Sequence, residues 1–484
     1  MQYASKHGGG VSFRTLTTEQ IKEIHSASCR ILNETGLIVH HDEAAQLLNK
    51  AGAYTDASGR TYLPDALIEW AIRTAPARVT VYNRLGDPAM FLEGSNAYFG
   101  PGSDTLNFID PATGERRPWN TADVAAAVRL VDYLPQMDFV MSMGLLNDVD
   151  KRMIYRNQYA LMIKNSIKPQ VIIAEDRSTV EDIFAMAAAV VGGPAKLKHQ
   201  PLFAMYLEPT SPLQFPFESV DKLLAAAELK IPVNFACGAL AGASTPVTEA
   251  GTVVQANAEA LGGLVVHQLK NPGAPFLYGY GDSPLDMRTM QAVYAVPHAL
   301  LLQGALCDLA RYYAVPTWGY AGCSSSKTFD EQTVMEATMF TLMGALQGCN
   351  LMHDVFYIES GRTGSLELLV LNNEVISRAR NLLGGVNTSP EYLAVEAIKR
   401  VGPGGNFLGD DHTYNHFKQS WKPDVSDFNG YDAWAAEGAK TTGTRIREKI
   451  AQVMATHQPV QVTPEAEQAI DSILRAAEER LCGE

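Results

Sequence analysis

None of the six cysteines, at 29, 237, 307, 323, 349 and 482, stands in a CxxC pair. The chain therefore offers neither a zinc knuckle nor a disulfide framework. No apolar run is long enough to span a bilayer, and the opening MQYASKHGGGVSFRT lacks the apolar stretch of a secretory leader. A reducing, cytoplasmic setting is the simplest expectation. Excess positive charge is missing as well: 39 basic against 53 acidic residues leave a net charge of −14, which argues against DNA or RNA as partner. There is no HExxH, no G-x-S-x-G and no P-loop, and no GxGxxG opens the first strand–helix unit. The chemistries those motifs serve have no support here.

What is present is ample core material, 46% hydrophobic and 19% charged over 484 residues. In LTTEQIKEIHSASCRILNET, Thr17 with Gln20 fits a capping box, and Ile21, Ile24, Ile31 and Leu32 fit one apolar stripe. Two more helical patterns, DEAAQLLNKAG and PDALIEWAIRTAP, complete an expected N-terminal helical extension over 1–95. The rhythm then changes. Short apolar runs begin at 97, 139, 170, 202, 232, 275, 316 and 349, interleaved with helical segments near 122–134, 150–166, 178–191, 218–229, 248–270, 289–313, 331–347 and 365–383. Eight strands alternating with eight helices predict an α/β fold, a closed (βα)8 TIM barrel over 96–384. An open, doubly wound sheet stays as the alternative, because alternation alone does not show closure. Residues 385–484 are expected to form a C-terminal extension, helical at its end, packed on the barrel.

Barrel enzymes carry their reacting groups at the C-terminal ends of the strands. In LFAMYLEP, alternation sends Phe203, Met205 and Leu207 toward the helices, and Tyr206 and Glu208 toward the mouth. Trp318 and Tyr320 share a face of PTWGYAGC whose direction stays open. The stretch CNLMHDVFYIESGRTGSLE gathers His353, Asp354, Phe356, Tyr357 and Glu359; its more polar face, Asn350, Met352, Asp354 and Phe356, predicts Asp354 inward and leaves His353 undecided. Strand ends also carry Tyr98, Phe99, Phe235, Tyr278 and Tyr280. Plain packing accounts for single rings. An aromatic cage is the sharper reading: a quaternary ammonium donates no hydrogen bond and is held by ring faces, at roughly 0.5–2 kcal/mol each, with Glu208 or Asp354 as countercharge. Two rival features remain. SGRTGS before a helix fits either an anion at a helix N-terminus or a plain turn with a Ser or Thr cap. His412 and His416 in HTYNH stand at i, i+4, but without a clear helix they are too few for a metal centre, and no metal is expected.

The stretches GPGSDTLNFIDPATGERRP, EPTSPLQFPFESVDKLLAAAELKIPV, AGASTPVTEAGTVVQANAEALGG and SKTFDEQTVMEATM resemble the trimethylamine methyltransferase family of corrinoid-dependent enzymes, and the likeness runs through essentially the whole chain. The resemblance implies a (βα)8 barrel that moves a methyl group from an amine to the cobalt of a corrinoid (cobalamin) carried by a separate protein, with no cofactor bound tightly in this chain. Founding members read an in-frame UAG codon as pyrrolysine. This sequence has none; the position is placed near Lys327 in SSSK. The departure shifts the expected substrate toward a quaternary amine such as glycine betaine, proline betaine or carnitine. From a quaternary nitrogen the leaving group is a neutral tertiary amine and no proton need move, so the protein's task is positioning and exclusion of water. Tyr98, Tyr206, Trp318, Tyr320 and Phe356 are then expected at the substrate, Glu208 and Asp354 to balance its charge, and His353, Lys327 or Arg362 to meet a betaine carboxylate. The loop of Gly100, Gly102, Ser103 and Asp104 is expected to let the flat corrinoid approach the backbone, or to be an ordinary tight turn. A homo-oligomer is expected. A barrel enzyme acting on a phosphorylated small molecule and a non-catalytic quaternary-amine binder remain the rival functions.

Overall fold

The structure, a computed structural model, describes residues 11–279 and 281–483; the first ten residues of the opening segment and the ring of Tyr280 lie outside them. Seven parallel strands form the central sheet: β1 (Tyr98–Phe99), β2 (Gln170–Ile172), β3 (Phe203–Leu207), β4 (Val233–Phe235), β5 (Phe276–Gly279), β6 (Thr317–Tyr320) and β7 (Leu351–His353). Their order is β1, β7, β6, β5, β4, β3, β2, so sequence neighbours pair throughout and β7 returns to β1. Residues 138–144 fill the remaining gap. Asp138 N donates to Phe99 O at 2.7 Å on one side, and on the other Val171 N donates to Val140 O at 2.8 Å. The ring is closed, as expected for a (βα)8 barrel.

This eighth stave is a single bridge, Val140 to Gln170, rather than the full strand expected at 139. A side chain has taken over part of the ladder: Phe99 N donates to the Asp138 carboxylate at 2.8 Å. Met143, at φ 64°, then turns the chain out of extended geometry. Each stave is followed by a helix: Thr121–Tyr133, Ile154–Asn165, Arg177–Val191, Phe217–Leu229, Glu249–Lys270, Pro297–Tyr313, Glu331–Gln347 and Leu366–Leu383. Five of these starts are written in the sequence. The side chains of Asn120, Asp176, Thr248, Asp330 and Ser365 each accept a backbone N–H of the first turn.

Differences from the sequence reading have local causes. The helix expected from 289 begins at Pro297, because Ser283–Asp286 and Gln291–Ala292 form a hairpin and the fixed φ of proline suits a helix start. The first 95 residues hold the Thr17–Gln20 capping box and a buried Ile24 and Leu32, with Ile21 and Ile31 half-buried. They also hold strands the helical reading passed over: Leu37–Val39, Tyr54–Thr55 and Arg60–Tyr62, and the pair Val79–Tyr82 with Pro88–Leu92. HTYNH lies in a short helix, Asp411–His416, capped by Asp410. The last helices, Thr442–Thr456 and Pro464–Cys482, are tied to the barrel by ion pairs such as Arg447–Glu367 at 3.0 Å and Arg480–Asp182 at 2.7 Å. No helix among the described residues is long and apolar enough to cross a membrane.

Candidate functional site

At the C-terminal end of the strands lies a cavity of about 220 Å³. From β3 come Tyr206 and Glu208, two residues apart and so on one face of the strand, and the Tyr206 hydroxyl donates to the Glu208 carboxylate. Gly238, after β4, makes room for that carboxylate: a Cβ there would sit 2.6 Å from Glu208 Oε1. From β6, Trp318 stacks on Tyr206 with ring centroids 5.3 Å apart at 25°, and Tyr320 donates its hydroxyl to the backbone oxygen of Asp282 at 2.7 Å. From β7, the ring of His353 lies 4.8 Å from Trp318 and 5.8 Å from Tyr206. Its Nδ1 is 2.5 Å from Asp354 Oδ1, and its Nε2 is enclosed with no hydrogen-bond partner among the described residues.

His353 and Asp354 are consecutive, yet both line the cavity. The strand ends at His353, and Asp354 takes the left-handed conformation, φ 76°, which swings its side chain back over the mouth. The inward direction expected for Asp354 is therefore right, but its reason is not alternation. The face carrying Asn350 and Met352 points away from the cavity: Asn350 Oδ1 accepts from Thr317 N at 2.8 Å, and Met352 lies against Gly344 of the helix layer.

The electrostatics are one-sided. Among the described residues, no lysine or arginine lines the cavity, while Glu208 and Asp354 do. Glu208 opens onto the cavity space but is ringed by protein at short range. That enclosure, followed by the nearby charges of Asp354 and Asp104, pushes its carboxyl up to about 7. Asp104 is pushed up to about 6 by enclosure, opposed by hydrogen bonds from Ser142, Tyr155 and Gln158. Behind the wall, Asp282 accepts Ala239 N at 2.8 Å through one oxygen, and its other oxygen is buried without a partner among the described residues.

Of the residues singled out from the sequence, Ser103, Tyr206, Glu208, Tyr320, His353 and Asp354 line this cavity, and Trp318 backs it. Tyr98 does not. It stands at the entering end of β1, and its hydroxyl accepts Phe91 N at 3.0 Å, at the far end of the barrel from the mouth. Phe356 is fully buried against Trp119, with centroids 6.4 Å apart, so it belongs to the wall. Lys327 and Arg362 are exposed in a separate outer depression of about 670 Å³, shared with Arg288, Glu336 and Glu359. Tyr294 and Tyr357 stand between the two spaces, packed at Gly361, where a Cβ would meet their rings at 3.2 and 3.3 Å.

The glycine loop after β1 faces inward. A Cβ on Gly100 would sit 2.5 Å from the Phe139 ring, and one on Gly102 would sit 2.3 Å from Tyr357 and 2.4 Å from Asp354. These glycines admit side chains of the same chain, and their backbone is not an open landing place for a flat corrinoid. Ser103 N donates to the Tyr357 hydroxyl at 2.6 Å, and Asp104 turns toward Ser142 and Tyr155. In SGRTGS, Ser365 caps the helix Leu366–Leu383 and Thr363–Ser365 pairs with Asn107–Ile109, so the plain-turn reading is the one realised. The sequence reading missed Tyr294, Ser283 and Gly238. Tyr294 fell inside an expected helix, and only Pro297 hinted that it belonged to a loop.

The fold and cavity together define a (βα)8 barrel with a small, acidic, ring-walled chamber at the end where such barrels place their chemistry. The sequence profile of the family Trimethylamine methyltransferase (MTTB) matches residues 6–480, and the chain belongs to that family. The trimethylamine methyltransferase MttB of Desulfitobacterium hafniense (strain DSM 10664 / DCB-2) is 31% identical over 471 residues, 97% of this chain and 95% of the relative. The glycine betaine methyltransferase of Desulfitobacterium hafniense (strain Y51) is 29% identical over 469 residues, 96% of each chain. Among solved structures, the Methanosarcina barkeri monomethylamine methyltransferase (MtmB) aligns over 95% of this chain and 92% of its own, with 12% identity and a TM-score of 0.47.

Proposed function

We propose that this chain takes a methyl group from a quaternary ammonium held in the inner cavity and passes it to the cobalt of a corrinoid presented by a separate protein. One observation carries the reading: Glu208 and Asp354 face one small cavity with no lysine or arginine in its lining among the described residues. Carboxylates that face one narrow space repel one another, and a cation relieves both at once. At about 220 Å³ the chamber lies below the roughly 300–1,000 Å³ of pockets for larger ligands, which suits a compact head group.

Each wall has a task in that reading. The rings of Tyr206, Tyr320 and Tyr294 hold an ion that offers no hydrogen bond, with Trp318 stacked behind Tyr206. Tyr206 fixes the Glu208 carboxylate through its hydroxyl. Asp354 orients the His353 ring at the cavity edge, and its Nε2 stays enclosed without a partner among the described residues. The corrinoid supplies a reduced, nucleophilic metal centre. This chain's residues align the methyl carbon with it and exclude water, and the departing amine leaves neutral, so no acid or base is required.

The named relatives divide between trimethylamine and glycine betaine. The sequence carries no pyrrolysine, and Lys327 lies outside the inner cavity; both favour the quaternary substrate, which needs no activating side chain. The test mixes purified protein, a reduced corrinoid acceptor and glycine betaine, and follows loss of the cobalt(I) absorption; proline betaine, carnitine, tetramethylammonium and trimethylamine run in parallel. Silence with every methylated amine overturns the activity. Turnover of trimethylamine alone overturns the quaternary substrate.

A further inference from the structure

Behind the inner cavity lie two acids that the proposed reaction does not use, Asp282 and Glu259, each fully buried. They are held differently. Glu259, on the helix Glu249–Lys270, accepts Leu213 N at 2.8 Å and Gln255 Nε2 at 3.0 Å on one oxygen, and Ser211 Oγ at 2.7 Å on the other. Both oxygens are supplied with donors, the condition for a charged carboxylate in a protein interior. Asp282 accepts only Ala239 N, at 2.8 Å, and its second oxygen is buried with no partner among the described residues. An ion left in that state is strongly disfavoured, and a proton removes the cost.

The neighbours of Asp282 do not make up the missing donor. Ser211 Oγ has one proton and gives it to Glu259, so at 2.9 Å from Cys237 Sγ it accepts from the thiol. Cys237 stands beside Asp282, but its proton is thereby turned the other way. The surrounding charges, Glu259 and Glu208, are both negative; burial first, and then these two, push the Asp282 carboxyl well above the usual carboxylate range.

What Asp282 holds is the wall of the cavity. It stands between Gly281 and Ser283, which both line the chamber. Its carboxyl takes the N–H of Ala239, the residue after Gly238, and Gly238 is the seat of the Glu208 carboxylate. Its backbone oxygen takes the Tyr320 hydroxyl at 2.7 Å, which fixes one ring of the lining. Backbone bonds run alongside, from Gly281 N to Cys237 O at 2.9 Å and from Ser283 N to Ala239 O at 3.1 Å. One residue thus ties together the mouth ends of β4, β5 and β6. A charge there would stand behind Glu208 as a further negative neighbour and favour a proton on Glu208 over a bound cation. A neutral acid braces the same three segments without that effect.

We infer that Asp282 is a positioning residue of the methyl-transfer site, a neutral carboxylic acid that sets Gly238 under Glu208 and holds the Tyr320 ring. Its effect on turnover rests on the cation reading proposed above; its protonation state does not. The test compares full-length wild type, D282N, D282A and E208Q. Infrared difference spectra of wild type against D282N at pH 8.5, where Glu208 is ionised, are expected to show the carbonyl stretch of a protonated carboxyl in the wild type alone. D282A is expected to slow methyl transfer at saturating substrate by about 100-fold, as for an ångström of misplacement. D282N, of the same shape and equally neutral, restores both turnover and tetramethylammonium affinity. Should D282A unfold, Y320F takes its place, with an expected loss of about fivefold for one hydrogen bond. A D282N protein that loses cation affinity as E208Q does, or a wild type without the infrared band, overturns the neutral brace. Wild-type turnover in D282A, or in Y320F where it stands in, overturns the positioning role. If the wild type itself binds no tetramethylammonium, the cation reading is what fails, and the infrared band still decides the state of Asp282.

Discussion

Two hollows share the same end of this barrel and differ in almost every physical respect. The inner cavity holds about 220 Å³, Asp354 at 3% exposed, and, among the described residues, no lysine or arginine in its lining; the outer depression holds about 670 Å³, with Lys327, Arg288 and Arg362 among Asp286, Glu336 and Glu359. In the outer one, charges of both signs sit in water and largely screen one another. In the inner one, enclosure raises the cost of the Glu208 carboxylate, and among the described residues no lysine or arginine lines the space to offset it. On the proposed reading, the inner hollow is the one that a cationic ligand improves strongly. The same residue types, acids beside rings, mean different things on the two sides of Tyr294 and Tyr357.

The comparison breaks most visibly where the inner space has no tolerance. G102A places a Cβ within 2.4 Å of Asp354 Oδ1 and closer still to the Tyr357 ring, so Asp354 must shift. Methyl transfer to the corrinoid acceptor is expected to fall by about 100-fold, as for an ångström of misplacement at a reacting centre. Next comes E208Q, which keeps shape and removes charge: calorimetric affinity for tetramethylammonium is expected to drop about 10- to 100-fold, the worth of a charged contact of about 1.5–3 kcal/mol.

A pH titration sharpens the same point. Glu208 sits at about 7 against its ordinary 4.5, so the free protein binds this proton more tightly than the unfolded chain does. The sign follows: this carboxyl makes the ligand-free fold less stable as pH rises from 4.5 toward about 7, and a bound cation removes that loss. Cation affinity therefore rises with pH through about 7 and levels off above it, falling about tenfold for each unit below. Calorimetry from pH 5.5 to 8.5 reads this, and E208Q flattens the profile. The smallest effect belongs to the outer hollow. K327A and R362A are expected to change tetramethylammonium affinity less than about fivefold, because exposed pairs contribute about 0–1 kcal/mol. A loss as large as that of E208Q would erase the distinction between the two hollows.

Much of this was open to reading in one dimension. Seven of the eight apolar runs emerge as strands and the eight helices follow in the expected order, with the one expected from 289 starting at Pro297, and Tyr206 and Glu208 share a face because a strand repeats every two residues. Where strand periodicity stops, prediction stopped with it. His353 stayed undecided and Phe356 was assigned to the cavity, because a single left-handed residue, Asp354, resets the direction of everything after it. Tyr98 was misplaced for a different reason: its rank along β1 decides which end of the barrel it occupies, and a two-residue strand does not announce where it begins.

The sequence alone determined the alternation of elements, the helix starts marked by Asn120, Asp176, Thr248, Asp330 and Ser365, and the family, since these rest on local spacing and residue identity. Tertiary structure decided which acids share one enclosed space, that Gly100 and Gly102 serve packing, and that Lys327 and Arg362 stand outside. Enclosure is a property of many segments converging, and it is what turns an ordinary glutamate into one near neutrality.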